Sequence, residues 1–67
     1  NEKLIRRCVT IVCTATECDE ATAIAALETC DYRPKTAIVM ILCHVDAQEA
    51  KALLEKSGGR VAKVLNP

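Results

Sequence analysis

The five cysteines are the residues of this sequence with the most versatile chemistry, because thiols bind zinc, form disulfides and act as nucleophiles. Their spacing contains no C-x-x-C pair and their number is odd, which disfavours a zinc site and a complete disulfide framework. On a continuous helix, steps of five residues turn side chains by about 140° from one another, so the thiols would not converge. We predict no metal site and no cofactor, and we interpret the cysteines as reduced, small apolar fillers. They are Cys8, Cys13, Cys18, Cys30 and Cys43.

Cys43 and His44 could suggest a thiol and imidazole pair for nucleophilic catalysis. Adjacent residues of a helix do not face each other, and no third group that would orient the imidazole is evident in the sequence. We therefore predict no catalytic residue at this position.

The composition is that of one small folded domain, since 51% of the 67 residues are hydrophobic and 27% are charged. Nine basic residues balance nine acidic ones, so no net field attracts nucleic acid or an acidic membrane surface. There is no Trp or Phe and only one Tyr, so aromatic platforms for single strands are lacking. The longest apolar run, residues 37–43, is far shorter than the roughly 18–20 residues that cross a bilayer. We expect no nucleic-acid or membrane partner and no signal peptide.

Helical periodicity predicts an all-α fold, a small orthogonal bundle of about five short helices. In the first helix, polar residues recur every three or four positions beside an apolar face. The β-branched run 9–12 favours a strand, but a stripe maintained over four turns outweighs it. The polar stripe is Lys3, Arg7, Thr10, Thr14 and Glu17, and the apolar face is Leu4, Cys8, Ile11, Val12 and Ala15.

Start and stop signals delimit the other helices. Asp19 predicts the N-cap of a second helix that ends near Cys30, with Ala23, Ile24 and Leu27 on its buried face. Pro34 suits the first position of a third helix. The run 37–43 is apolar on every side, which marks a central buried helix or a buried strand. An α/β alternative, with residues 8–14 and 38–43 as parallel strands, stays open.

The last two helices have the clearest signals. Asp46 and Glu49 form a capping-box pattern ahead of an amphipathic segment. Gly58 and Gly59 supply the left-handed residue that closes this helix, and a short fifth helix follows from Val61.

A shift of 27 residues superposes two parts of the sequence. It predicts a repeat unit made of a capped helix, a tight turn and a second helix. The alternative is that alanine-rich amphipathic helices resemble one another anyway. The shift places Asp19, Ala23, Ala25, Leu27, Glu28 and Arg33 on Asp46, Ala50, Ala52, Leu54, Glu55 and Arg60.

Two stretches carry a family resemblance that extends over essentially the whole chain. The opening Asn1–Arg7 has the pattern N-x-K-L, and residues 35–42 have the pattern K-x-A-I-x-M-I-L. With these motifs the sequence resembles the C-terminal region of N-acetylmuramic acid 6-phosphate etherases. That family is related to sugar isomerase domain proteins and to the sugar-phosphate-binding regulator of glucokinase.

The resemblance implies a cytoplasmic bacterial lyase of peptidoglycan recycling, which cleaves the lactyl ether of N-acetylmuramic acid 6-phosphate to N-acetylglucosamine 6-phosphate and lactate. The family's catalytic glutamates belong to a larger sugar isomerase domain that is absent here, so this domain should be inactive alone. Elimination needs a carboxyl group in a pocket with a tuned pKa. We interpret the glutamates of this chain as solvated carboxylates; they are Glu2, Glu17, Glu20, Glu28, Glu49 and Glu55.

The same resemblance implies a substrate contact for the lysine of N-x-K-L, which is Lys3 here. Its ammonium would offer a point charge to a hydroxyl or phosphate of the phosphosugar at the junction with the sugar domain. Asn1 would fix the approach of the helix. The alternative is a solvated lysine in the first helical turn.

The predicted organisation is a single helical domain, residues 1–67, with a leading helix over 1–18 and a module over 19–67 that resembles ubiquitin-associated domains. The Met-Gly-Phe or Met-Gly-Tyr loop of ubiquitin binders is absent, so we expect no ubiquitin binding. The start at Asn1 rather than Met suggests a fragment of a larger enzyme. A stand-alone protein interaction module is the alternative.

The expected partners are the parent sugar isomerase domain and a second copy in a homodimer, with phosphosugar bound only in the full-length protein. A core this small supplies only about 3–5 kcal/mol, so we expect marginal stability in isolation. For the docking surface, the sequence suggests Val61, Val64 and Leu65 of the last helix.

Overall fold

In the computed structural model, which describes residues 2–65 and the side-chain burial of residues 2–64, every regular element is a helix. The predicted all-α bundle of five helices is therefore confirmed. The α/β alternative is wrong, because residues 8–14 and 38–43 both lie within helices. The helices are α1 (Glu2–Thr16), α2 (Glu20–Thr29), α3 (Pro34–Cys43), α4 (Ala47–Lys56) and α5 (Val61–Leu65).

The central element is α3, which packs against each of the other four helices. It begins with Pro34 at its first position, where the missing amide proton costs no intrahelical bond. Residues 36–39 are buried on consecutive positions, so more than one face of this helix is covered. The apolar run therefore forms a buried helix because it is surrounded by neighbours on several sides.

Two aspartates cap α2 and α4 in the same way. The Asp19 carboxylate accepts a hydrogen bond of 2.8 Å from the Thr22 amide, and the Asp46 carboxylate accepts one of 2.7 Å from the Glu49 amide. Each bond satisfies an amide that has no partner within the helix. Both predicted N-caps are confirmed.

The buried face of α1 matches the predicted one only in part, since Val12 is buried and Cys8 half-buried as expected. The helix buries Val9 and Val12, whereas Leu4, Ile11 and Ala15 are exposed. The sequence offers two apolar stripes on this helix, and the one that includes Val9 faces α3 and the rest of the core. In α2, likewise, Ala23, Ala26 and Leu27 are buried, but the predicted Ile24 is exposed.

The 27-residue repeat has a structural counterpart in the helix ends. After α2 the backbone takes positive φ at Asp31 (58°) and Tyr32 (55°), and after α4 it does so at Gly58 (71°) and Gly59 (81°). The Tyr32 amide donates to the Leu27 carbonyl at 2.8 Å, and the Gly59 amide donates to the Leu54 carbonyl at 2.7 Å. These bonds close both helices as Schellman-type caps. Helices α2 and α4 begin 27 positions apart, and so do α3 and α5. The order and spacing of the helices therefore repeat along the chain.

The core consists of two adjoining groups of buried side chains. The larger joins α1, α2 and α3, and the smaller joins α3 and α4. Val61 and Val64 of α5 are partly buried and pack against the smaller group. These two valines of the docking surface suggested from the sequence therefore also cover the domain's own core. The side-chain surroundings of Leu65 lie outside the described part.

None of the described helices has the length and apolar character that crossing a membrane would require.

Candidate functional site

The two residues expected to contact phosphosugar lie at the start of α1. Lys3 is in the first turn of the helix and is exposed, and it makes a polar interaction in the structure. Asn1 lies outside the described residues. Residues 2–7 are all exposed, and the first buried side chain of α1 is that of Val9. The first two turns of α1 therefore extend beyond the core of the described domain.

An exposed apolar groove runs along α1 and the turn between α2 and α3. Four of its large side chains are well exposed: Leu4 by 60%, Ile11 by 43%, Tyr32 by 38% and Ile5 by 36%. We call this surface the α1 groove; its apolar residues are Leu4, Ile5, Cys8, Ile11, Tyr32 and Pro34. A contiguous apolar surface of this kind is typical of interaction sites, whereas single exposed apolar side chains are common on any protein surface.

Basic residues border the α1 groove in the described part of the chain. Arg7, on α1, lines the groove itself. Arg33 and Lys35, at the start of α3, line an adjoining depression that shares Ile11, Tyr32 and Pro34 with the groove. The Lys35 ammonium also donates a hydrogen bond of 3.3 Å to the Gly59 carbonyl. The groove therefore combines an apolar floor with a positive border, an arrangement that suits an apolar surface carrying carboxylates.

Tyr32 holds a backbone conformation that is unusual for its residue type. Its φ of 55° lies in the left-handed region, where a side chain with a Cβ costs roughly 1–2 kcal/mol. The Cys8 thiol donates a 3.5 Å hydrogen bond to the Tyr32 carbonyl and so joins α1 to this turn. The corresponding residue of the repeat, Gly59, has no such penalty. The strain at Tyr32 thus accompanies an aromatic side chain that lines the groove.

Sequence reasoning missed the α1 groove because it assigned Leu4 and Ile11 to the buried side of α1. The repeat does not reveal the groove either, because it pairs Ile11 with a residue that is buried. The 27-residue shift places Ile11 on Ile38 and Val12 on Val39, which extends the repeat back into α1. Both valines are fully buried, but Ile38 is 7% exposed where Ile11 is 43% exposed.

Cys13 and Cys18 are neighbours, contrary to the expectation from a continuous helix. The helix ends at Thr16, and Glu17 takes a left-handed conformation with φ of 56° that turns the chain back. Burial raises the pKa of the Cys13 thiol, and Cys18 and nearby carboxylates raise it further. A raised pKa lowers the thiolate fraction, so Cys13 is a poor nucleophile at neutral pH.

Within the described residues, groups of three or more potential metal ligands do not converge. The six glutamates of the chain are all exposed. One of them, Glu55, lines a shallow concavity together with Arg33 and Lys51. Carboxylates that face solvent lack the enclosed surroundings that tune a general acid or base.

Comparison with known proteins gives a consistent set of relatives. The chain is 52% identical over 66 residues to the N-acetylmuramic acid 6-phosphate etherase of Klebsiella aerogenes and 48% identical over 66 residues to that of Edwardsiella ictaluri (strain 93-146). It is 46% identical over 65 residues to the protein of the same name from Oenococcus oeni. These matches cover 97–98% of the chain but only 22% of each relative.

The matched part lies at the C-terminal end of the relatives. The chain thus spans about a fifth of the length of the curated relatives it matches. No protein-family model matches the chain, and no solved structure matches it significantly.

Proposed function

We propose that this chain, which is homologous to the C-terminal part of N-acetylmuramic acid 6-phosphate etherases, is a non-catalytic helical domain of such an enzyme. The parent enzyme uses water to cleave the lactyl ether of N-acetylmuramic acid 6-phosphate, giving N-acetylglucosamine 6-phosphate and D-lactate. The observation that carries the proposal is a match at 46–52% identity over nearly all of this chain. The reaction serves peptidoglycan recycling in the cytoplasm.

The exposure of every glutamate, all of which lie among the described residues, supports the non-catalytic part of the proposal. Abstraction of a proton from a carbon atom of the sugar needs a carboxylate whose pKa lies near the operating pH. That carboxylate must also lie within hydrogen-bond reach of the substrate. The glutamates described above are all exposed, five of them on helices and Glu17 in the turn after α1. The parent sugar isomerase domain would supply the catalytic carboxylates, and the five-helix domain would support its fold, its homodimer or the rim of its active site.

A direct assay of the full-length protein tests the proposed activity. The full-length protein that contains this chain is incubated with N-acetylmuramic acid 6-phosphate, and released lactate is measured with a lactate dehydrogenase assay. We expect lactate and N-acetylglucosamine 6-phosphate in equal amounts. Intact substrate after prolonged incubation with folded protein would contradict the proposal.

Lys3 is the residue of this domain that we propose to contact the phosphosugar, with Asn1 fixing the approach of α1. Lys3 lies in the exposed first turn of α1, the part of the helix that extends beyond the core. An ammonium group on a flexible stem can reach a hydroxyl or phosphate of a ligand bound to a neighbouring domain. The likeness of this segment to the phosphosugar-binding family supports the same role.

Kinetics of the full-length protein test the role of Lys3. We expect Lys3→Ala to raise the KM for N-acetylmuramic acid 6-phosphate or to lower kcat, by roughly tenfold for the loss of one charge-assisted hydrogen bond. The matched control is Lys56→Ala, which removes an exposed lysine from the last turn of α4. Unchanged kinetics of Lys3→Ala would exclude the contact.

A further inference from the structure

The internal repeat shows what normally covers the position that Ile11 occupies. Ile38 lies on α3, 27 positions after Ile11, and is only 7% exposed because it belongs to the core group formed with residues of α1 and α2, the preceding helices of the chain. Ile11 itself is 43% exposed. The described chain contains no earlier helix that could take the corresponding place.

We propose that the α1 groove is the surface on which the preceding part of the full-length protein docks, through an apolar patch bordered by carboxylates. This inference rests on the proposed function, because the relatives match this chain only with their C-terminal part and carry most of their length before it. The preceding polypeptide thus joins the chain beside Leu4 and Ile5, the first apolar residues of the groove.

The basic residues around the α1 groove favour the preceding part of the protein over a second copy of the domain as the binding partner. A symmetric contact between two α1 grooves would bring Arg7, Arg33 and Lys35 of both copies into one interface, with no carboxylate among the described lining residues to balance them. Like charges that face each other at an interface oppose association. A surface that presents Asp or Glu at the edge of an apolar patch matches both the floor and the border.

Tyr32 gives a second reason to assign docking to this surface. The same position of the other repeat is Gly59, which adopts positive φ without penalty. Tyr32 keeps its aromatic ring on the groove in spite of the strained backbone, and aromatic side chains are frequent anchors of protein interfaces. The ring and the isoleucines on α1 would together form the centre of the contact.

Limited proteolysis of the full-length protein tests the docking. The test variant is Ile11→Glu, and the matched control is Ile24→Glu, because Ile24 is exposed to a similar extent (38%) but lies on α2 outside the groove. We expect Ile11→Glu to release the helical domain roughly tenfold faster by cleavage in the segment before Glu2, since undocking exposes that segment. Ile24→Glu should be cleaved at the wild-type rate.

Several outcomes would overturn the proposal. Equal release rates for wild type and Ile11→Glu would do so, and so would equal acceleration by the two variants. Dissociation of a dimer by Ile11→Glu without faster release, seen by sedimentation velocity, would assign the groove to a second copy instead.

Circular dichroism checks that the variants keep their helix content. If Ile11→Glu loses helicity, the release rate of Leu4→Glu is used to test the docking instead. The Leu4 side chain is 60% exposed, so a charge at this position does not disturb the core. The release rates do not depend on turnover, so docking can be established even if the full-length protein yields no lactate. Conversely, lactate release with no effect of either groove variant would leave the proposed function intact and refute the docking.

Discussion

Replacement of Leu27 by alanine should remove most of the stability of the domain. Leu27 lies on α2, is fully buried, and belongs to the core group that joins α1, α2 and α3. Truncation of a buried leucine costs about 2–5 kcal/mol, because the lost transfer energy adds to the energy of the cavity that remains. A single core of this size supplies only about 3–5 kcal/mol, so the two quantities are comparable.

The matched control is Leu4→Ala, which removes the same atoms from a side chain that is 60% exposed. Full burial of a leucine side chain is worth about 1.5–3 kcal/mol, so the buried part of Leu4 contributes about 1 kcal/mol or less. For a domain of 60–100 residues, each kcal/mol shifts Tm by roughly 4–8 °C. A loss of about 3 kcal/mol at Leu27 therefore lowers Tm by roughly 12–24 °C, and a loss of about 1 kcal/mol or less at Leu4 lowers it by at most roughly 4–8 °C.

Thermal and urea unfolding followed by circular dichroism at 222 nm measure both variants. We expect Leu27→Ala to be partly or wholly unfolded at 37 °C and Leu4→Ala to be close to wild type. Equal destabilisation by the two substitutions would refute the assignment of α2 to the core and of the first turns of α1 to the exterior.

Two further stability predictions concern the helix ends. Gly59→Ala should cost about 1 kcal/mol in urea unfolding through backbone strain alone, because φ is 81° and a Cβ there would meet no atom within 4 Å; a stabilised variant would contradict this. Asp19 should add acid sensitivity, because hydrogen bonds from Thr22 lower the pKa of its carboxyl. Its stabilisation is complete above the pKa of the unfolded chain and is lost as pH falls through the lower pKa of the folded state. Asp19→Ala should therefore reduce the difference in urea midpoint between pH 7 and pH 3, and an undiminished difference would refute the role of the cap.

The ends of the helices could be predicted from sequence because their signals are local. An aspartate with a free amide three residues later, a proline at a first position and a glycine pair after a last turn each act within a few residues. Asp46, Pro34 and Gly59 accordingly occupy the predicted places. Such signals need no knowledge of the tertiary fold.

The surface of α1 could not be predicted in the same way, since its orientation depends on packing between distant segments. Two stripes of this helix are apolar, one through Val9 and Val12 and one through Leu4 and Ile11. Packing against α2 and α3 decides which stripe is buried. The proximity of Cys13 and Cys18 could not be predicted either, because it depends on the left-handed conformation of Glu17. Glutamate rarely adopts positive φ, so the sequence does not indicate a turn there.

The central claim is that this helical domain belongs to an ether-cleaving enzyme without performing the reaction itself. The most direct test is to incubate the purified 67-residue domain, at the concentration used for the full-length protein, with N-acetylmuramic acid 6-phosphate and to measure lactate. We predict that the full-length protein releases lactate and that the isolated domain releases none above the rate of a protein-free control. Lactate formed by the domain alone would contradict the claim, because the reaction would then require catalytic groups within these 67 residues.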